Sequence, residues 1–439
     1  SLRIKLKLSK LVIALFLIAT GSLSSFAMEQ KKIIKAIIKG KSPAYEEALS
    51  YIKENHPEDI PSLLRDEYLD DDDSLVRMRI IETLKLYPST EIAGTWIEIL
   101  SKTNNSKIEI DLLEYLHTEK IFTLHIADKL ISPSTEVRQK AASLLKKEGN
   151  DRILPKLLIL SKSQNPVERI YLLEALNYLY DVRFKNLVIS FLNDENKSVR
   201  IYAIKCATEN EIKESLTKIK QIAKSDENLE ARKRAIEAIA LFKDTQSAPI
   251  LLSIIKEGNK ELTLTSIQTL RILKISSAAA TLSQMLETEK DDDIKKAILD
   301  SIITFGKSGN ISGITFIAKS EKNFDIRIKA IYCLGVISEK EQAFNALIDC
   351  LNDNDYRIRA EACNSLGNLR HAQKSEILLN QLKNDSSRYV RTAALFSLQR
   401  IKNSKDIIHL FDIYSSEKDP VLRELLREYL REYIQKVSL

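Results

Sequence analysis

One short pattern recurs so regularly along this chain that it leaves few folds open. An apolar residue, an arginine, a small residue and further apolar residues recur at Ile326-Arg327 to Leu334, Ile358-Arg359 to Leu366, Val390-Arg391 to Leu398 and Val199-Arg200 to Ala207. With the arginine as anchor, equivalent positions fall at 77, 109, 138, 169, 200, 232, 263, 295, 327, 359, 391 and 423. Successive spacings are 32, 29, 31, 31, 32, 31, 32, 32, 32, 32 and 32 residues, which is a structural repeat. Nine anchors are Arg, and the exceptions are Glu109, Thr263 and Lys295. A further degenerate copy centres on Tyr45, within 44–52.

Within each copy the residue seven after the anchor is apolar, from Leu84 and Leu116 to Leu398 and Leu430. Small or apolar residues such as Ala141, Ala203, Ala330 and Ala394 stand three after it. Positions −1, +3, +4 and +7 share one face of a helix, so each copy contains an amphipathic helix with a buried stripe. A second helical pattern precedes it, for example Gln342 to Leu351, closed by the turn Asn352-Asp353-Asn354-Asp355. Such a helix hairpin cannot bury its own apolar face and must stack on its neighbours. Only 10 Gly and 9 Pro occur in 439 residues, which excludes a turn-rich sandwich or barrel. The fold class expected is all-α: an α-solenoid, or superhelix, of about 12–13 helix hairpins with a period near 32 residues.

Six residues before each anchor stand Asp71, Thr103, Ser132, Ser163, Asp194, Asp226, Glu257, Glu289, Glu321, Asp353, Asp385 and Glu417. These turn residues can cap a helix and, where acidic, receive an anchor arginine. A ladder of turn acids and helix arginines is therefore expected along the stack. Loss of Arg359 should then cost on the order of 2–4 kcal/mol by stranding its partner.

The 32-residue hairpin, the turn acid and the apolar-Arg-x-x-Ala-x-x-x-Leu helix resemble HEAT repeats, particularly the short bacterial type also found in phycobilin lyase subunits. The resemblance runs over about residues 40–436. It implies an α-solenoid and, for function, a scaffold whose partner the repeat does not name.

Residues 1–27 carry Arg3, Lys5, Lys7 and Lys10, the apolar run Leu11 to Ala19, and Ser25-Phe26-Ala27, with no acidic side chain. A basic start, a short apolar stretch and small residues before the cut describe a secretory signal peptide over 1–27. The array then occupies 28–439 as a single domain, in the periplasm or cell envelope or secreted. An uncleaved membrane anchor is the alternative. Without the signal, 63 basic face 61 acidic side chains, so the formal charge of +6 falls to +2. A general polyanion partner such as nucleic acid loses its main argument.

Signals for catalysis are weak. None of His56, His117, His125, His371 and His409 is followed by Glu, and they scatter over distant repeats, so no metal and no cofactor are expected. Gly40-Lys41-Ser42 and Gly306-Lys307-Ser308 lack the earlier glycine of a phosphate loop and read as helix ends. Runs 70–73 and 291–293 lack the spacing of a calcium loop. Cys206 lies too far from Cys333, Cys350 and Cys363 to pair with them in a regular stack, whereas a bond among those three stays open.

In such a fold the second helices line the inner surface, with anchor +1 and +5 pointing out of it. At +5 stand Glu82, Glu114, Glu174, Glu237, Asp300, Tyr332 and Phe396; at +1 stand Ile170, Ile201 and Ile328, bordered by Tyr171 and Tyr202. An inner groove with apolar and acidic stripes suits a basic or amphipathic protein or peptide segment. A non-enzymatic scaffold is the resulting expectation; a small-molecule-binding or lyase-like subunit and a cytoplasmic adaptor are the rivals.

Overall fold

The computed structural model describes residues 29–118, 120–148 and 152–437, so the leader expected over 1–27 lies outside it. Every described anchor lies in a helix, and no strand occurs among the described residues. The chain forms two compact units, one ending at Phe191 and one beginning at Leu192.

In the first unit the anchor-bearing helices are Ser74–Leu84, Ser106–His117, Thr135–Glu148 and Pro166–Leu179. In the second they are Lys197–Glu209, Leu229–Leu241, Lys260–Ile272, Asp292–Phe305, Phe324–Val336, Tyr356–Asn368, Arg388–Ile401 and Pro420–Val437. A first helix precedes each, shorter than its partner in hairpins such as those opened by Leu216–Ser225 or Lys374–Asn384 and equal to it at Ile60–Asp70. The degenerate copy at Tyr45 is also helical, over Ala44–Asn55. Consecutive second helices pack on one another, as do consecutive first helices, which gives each unit two helical layers. This is the α-solenoid arrangement that the period dictates.

The expected stripe forms the core. Ile358, Ala362, Cys363 and Leu366 of one helix are fully buried, as are Ile326, Ala330, Ile331 and Leu334 of the preceding one. Burying each large aliphatic side chain contributes about 1.5–3 kcal/mol, which a lone hairpin could not collect.

Local chemistry sets the start and end of each second helix. Four residues before most anchors a capping residue accepts backbone N–H groups of the first turn, as Asn196 does from Ser198 and Val199 and Asp291 does from Asp293 and Ile294, whereas Ser387 ahead of Arg391 makes no such bond. Thr263 and Lys295, which break the anchor pattern, keep this register through Asn259 and Asp291. Eleven residues after the anchor the chain turns left-handed at Glu211, Lys243, Lys274, Gly306 and Lys402. Backbone bonds from Ile212 to Ala207, Asp244 to Ile239 and Ile275 to Leu270 then close the last turn. Only one of those five positions is glycine, and this is how so many helix ends coexist with so little glycine.

Candidate functional site

The ion ladder precedes any binding surface, because it fixes how the second helices stand. Arg200 donates from Nε and Nη2 to the two Asp226 oxygens, each at 2.7 Å, and Arg359 meets Asp385 at 2.9 and 3.0 Å. The same step joins Arg232 to Glu257 (2.8 Å), Lys295 to Glu321 (2.7 Å), Arg327 to Asp353, and Arg391 to Glu417 (3.4 Å). Each cation therefore reaches the turn acid of the next hairpin. Among the arginines a further nitrogen closes the residue's own turn, as Arg359 Nη1 does on the Asp353 carbonyl at 2.9 Å. The acid in turn accepts the backbone N–H two residues on, Ser387 to Asp385 at 2.8 Å. Burial alone would raise the Asp385 pKa, but the bonds from Arg359 and Ser387 outweigh it and hold the carboxyl below its usual range. Glu321 is held low against burial in the same way by Lys295 and the Asn323 N–H.

On the second helices, the residues singled out at +1 and +5 divide into two sets. Glu82, Glu114, Glu174, Tyr202, Tyr332 and Phe396 are exposed, while Ile170, Tyr171, Ile201, Glu237, Asp300 and Ile328 are half-buried. The acids are not bare. Glu82 pairs with Lys85 (2.6 Å), Glu114 with Lys140, Glu237 with Arg234 (3.0 Å), and Asp300 with Lys329 and Arg271. The Lys140 hydrogen bond holds Glu114 below its ordinary value. The acidic stripe is thus largely neutralised by neighbouring second-helix cations, and the aromatic residues are what this face offers to solvent.

Ile170, Tyr171 and Glu174 share the helix Pro166–Leu179, and Tyr171 and Glu174 line a groove of about 750 Å³ facing the helix Thr135–Glu148. Arg138 lays its guanidinium 3.6 Å from the Tyr171 ring centre and stands 3.6 Å from the Glu174 carboxylate. Tyr178, half exposed on the same wall, carries Lys146 over its ring at 4.2 Å. Sequence reading missed Arg138 and Tyr178 as groove residues; the i, i+7 spacing of Tyr171 and Tyr178 on one helix was the available signal. In the second unit the remaining candidates lie on separate helices: Ile201 and Tyr202 on Lys197–Glu209, Glu237 on Leu229–Leu241, Asp300 on Asp292–Phe305, Ile328 and Tyr332 on Phe324–Val336, and Phe396 on Arg388–Ile401.

Sequence reading also missed a row of small residues at anchor +6: Cys206, Ala238, Thr269, Ser301, Cys333, Ser365 and Ser397, each at most 2% exposed. A Cβ added at Gly335 would come within 2.9 Å of the Ser365 backbone, and one at Gly367 within 2.7 Å of Ser397 Cβ. Close approach of second helices is what this row permits. All four cysteines are free and buried, and burial pushes the thiols of Cys206, Cys333 and Cys363 up to about 12 and that of Cys350 to about 11. His371 stacks on Phe344 at 3.7 Å and meets Glu341 at 3.1 Å. Among the described residues no three His, Cys, Asp or Glu side chains stand where they could hold a metal ion, and no helix is long and apolar enough to cross a membrane.

The family model for HEAT repeats matches residues 216–303, 312–399 and 344–431, all within the second unit. No curated protein sequence matches the chain. Among solved structures, Kap121p is 15% identical with a TM-score of 0.48, over 90% of this chain and 48% of its own. Importin beta is 13% identical with a TM-score of 0.43, over 90% of this chain and 60% of its own. The complex of CpcE and CpcF of phycocyanin lyase from Nostoc sp. PCC7120 is 16% identical with a TM-score of 0.31, over 56% of this chain and 94% of that one. The chain thus spans about half to three fifths of the two larger proteins. Stacked hairpins every 32 residues, a cation-to-acid ladder between them and the family match within 216–431 identify the repeats of the second unit as HEAT repeats.

Proposed function

We propose that the protein is an exported, non-enzymatic scaffold that binds a protein or peptide segment along the face of its second helices. The carrying observation is the groove between Thr135–Glu148 and Pro166–Leu179, where Tyr171 and Tyr178 offer aromatic surface beside Arg138 and Glu174. Aromatic and arginine side chains are enriched where proteins are gripped, because they combine large contact area with a polar handle. Exposed Tyr202, Tyr332 and Phe396 extend the same chemistry along the second helices of the other unit. Export is supported by the basic and apolar leader expected over 1–27, and an exported scaffold would act in the periplasm or cell envelope or be secreted.

The test uses a photo-crosslinking amino acid placed at Tyr171 or Tyr332 and, as control, at Phe316 on a first helix, in native envelopes. One discrete partner crosslinked from the second-helix sites but not from Phe316 is the expected outcome, with the yield cut by Glu174→Lys. Equal crosslinking from both layers, or none from Tyr171 and Tyr332, would refute the surface. Mass spectrometry of the same purified protein should find its N-terminus near Met28.

A further inference from the structure

A cluster of uncompensated cations lies at the start of the first unit. The helix over 29–39 buries Ile33, Ile34 and Ile37 and leaves Lys31, Lys32, Lys35 and Lys39 exposed. At 3.6 residues per turn the four lysines fall within an arc of about 100°, opposite the isoleucine face. Lys41 follows just past the helix end. A groove of about 620 Å³ against Ala44–Asn55 is lined by Lys32, Lys35, Lys39, Lys41 and Tyr51, with Glu29 and Glu47 as its carboxylates. Among the described residues these five lysines make no side-chain ion pair or hydrogen bond, whereas Lys140, Lys233 and Lys295 on the second helices each meet a carboxylate. The helix is also held in place. Arg79, from Ser74–Leu84, donates to the Ile37 carbonyl at 3.2 Å and to that of Ile38, and its side chain lies where a Cβ on the left-handed Gly40 would stand. Folding therefore sets out the lysine face in advance, and a ligand does not have to order it.

Such a face takes an anion, and its place in the chain selects which. Ten residues separate Ala19, the end of the apolar run in the expected leader, from Glu29, a reach of at most about 36 Å. Whether that leader is cut at a membrane or stays in it, the lysine face emerges within that distance of a bilayer. The leader's own charges, Arg3, Lys5, Lys7 and Lys10, are all basic and do not complement the groove. Nucleic acid is disfavoured because the array beyond the leader carries 63 basic against 61 acidic side chains, so the excess of cations is local. A basic helix face beside an apolar leader is the arrangement that adheres to anionic headgroups. We propose that the first hairpin rests its lysine face on an anionic phospholipid surface and so holds the array at the membrane. This contact rests on the leader reading for its membrane and is independent of the second-helix surface.

The experiment takes the protein as purified from native envelopes, with the N-terminus it carries there, and sediments it with vesicles of phosphatidylcholine or of an equimolar mixture with phosphatidylglycerol. Preferential binding to the anionic vesicles, with the preference abolished by molar salt, is the expected outcome. Each lysine near an anionic surface changes partition by about fivefold. Lys32→Gln, Lys35→Gln and Lys39→Gln together should therefore weaken anionic binding by about tenfold or more, at exposed helix positions where Gln is tolerated. Lys102→Gln, Lys213→Gln and Lys224→Gln, which remove the same charge from exposed positions elsewhere, should leave it within about twofold. The readout is dependence on lipid charge and on named lysines, so it stands apart from leader cleavage: a chain that keeps its leader and still shows this dependence would overturn cleavage and uphold the headgroup contact. Equal binding to both kinds of vesicle, equal loss in the two triple variants, or binding of a DNA duplex without binding of vesicles would overturn it.

Discussion

The two units share one backbone repeat but hold it with different side chains. In the second, Arg200, Arg232, Lys295, Arg327, Arg359 and Arg391 each meet an acid in the next turn, and the step is absent only at Thr263, whose hydroxyl is directed to the Ile255 carbonyl. In the first, the turn residues that would receive Arg77, Glu109 and Arg138 are Thr103, Ser132 and Ser163, which carry no charge. Each of these three anchors finds another partner. Arg77 donates to Asn104 and Asp72 at 3.2 Å, Glu109 pairs with Lys129 in reversed polarity, and Arg138 lies on Tyr171. The small row at +6 is interrupted in the same unit by Tyr115 and Leu144. The hairpin period therefore depends on capping and apolar spacing, which both units keep, while the run of ladder pairs from Arg200 to Arg391 and the close helix approach mark the second. The family match falls where both are present.

The largest difference should come from closeness of packing. At Gly313, in the first helix Ser312–Ser320, an added Cβ would lie 1.8 Å from the Ser283 carbonyl oxygen of the preceding first helix. Backbone rather than a flexible side chain must move, so Gly313→Ala should destabilise the second unit by about 3 kcal/mol or more. Gly94, in the helix Ala93–Lys102 of the first unit, has nothing within 4 Å of the corresponding position. Gly94→Ala should leave stability unchanged or raise it by up to about 1 kcal/mol. Chemical denaturation of both variants checks this, and similar losses would erase the distinction between the units.

Much of this was legible in the sequence, and what was not has a definite cause. Period, helix pairing and buried stripe follow from apolar spacing, because a 32-residue pattern with a 3.6-residue face has few other solutions. The ladder was legible too, down to the hydroxyl turns at 103, 132 and 163 where it gives way. Less visible were Asn196, Asn228 and Asn323 as caps, because each follows by two residues an acid that could itself cap the helix. The groove was half legible: Tyr171 and Glu174 stand out in the sequence, and Ser163 shows that Arg138 has no turn acid, but only the packing lays that guanidinium on the Tyr171 ring. Neutralisation of Glu114, Glu237 and Asp300 was hidden because two of their partners, Lys140 and Lys329, come from helices about 30 residues away, and no residue-by-residue reading pairs them.

The next effect isolates the ladder. The Arg359 and Asp385 side chains are 13% and 6% exposed, so removing the cation strands a largely buried carboxylate. Arg359→Ala should cost about 2–3 kcal/mol, with hydrogen exchange rising in Tyr356–Asn368 and Arg388–Ile401. Arg138→Ala removes a cation resting on an aromatic ring beside an exposed Glu174, and should cost only about 1 kcal/mol. Equal losses at the two positions would mean that the ladder contributes no more than ordinary surface contacts.

Acid should reveal the same asymmetry more gently. Asp385 and Glu321 have folded pKa values below their unfolded ones, despite the opposing effect of burial, because Arg359, Lys295 and backbone N–H groups bind the charged form. A carboxylate of this kind contributes its full stabilisation above the unfolded value, about 3.9 for Asp and 4.3 for Glu, and loses it as pH falls through the folded value. Between pH 7 and 5 neither unit should change on this account. Below about pH 4 the helices joined by the ladder, from Asp292–Phe305 to Arg388–Ile401, should gain hydrogen exchange relative to Ser74–Leu84, where Arg77 depends partly on the uncharged Asn104. The Lys295→Met variant would sharpen the assignment, since it leaves Glu321 without its cation and should move the onset of exchange around Phe324–Val336 to higher pH. Acid exchange that begins in the first unit, or an onset unmoved by that substitution, would show that the turn carboxylates are not what distinguishes the two halves in acid.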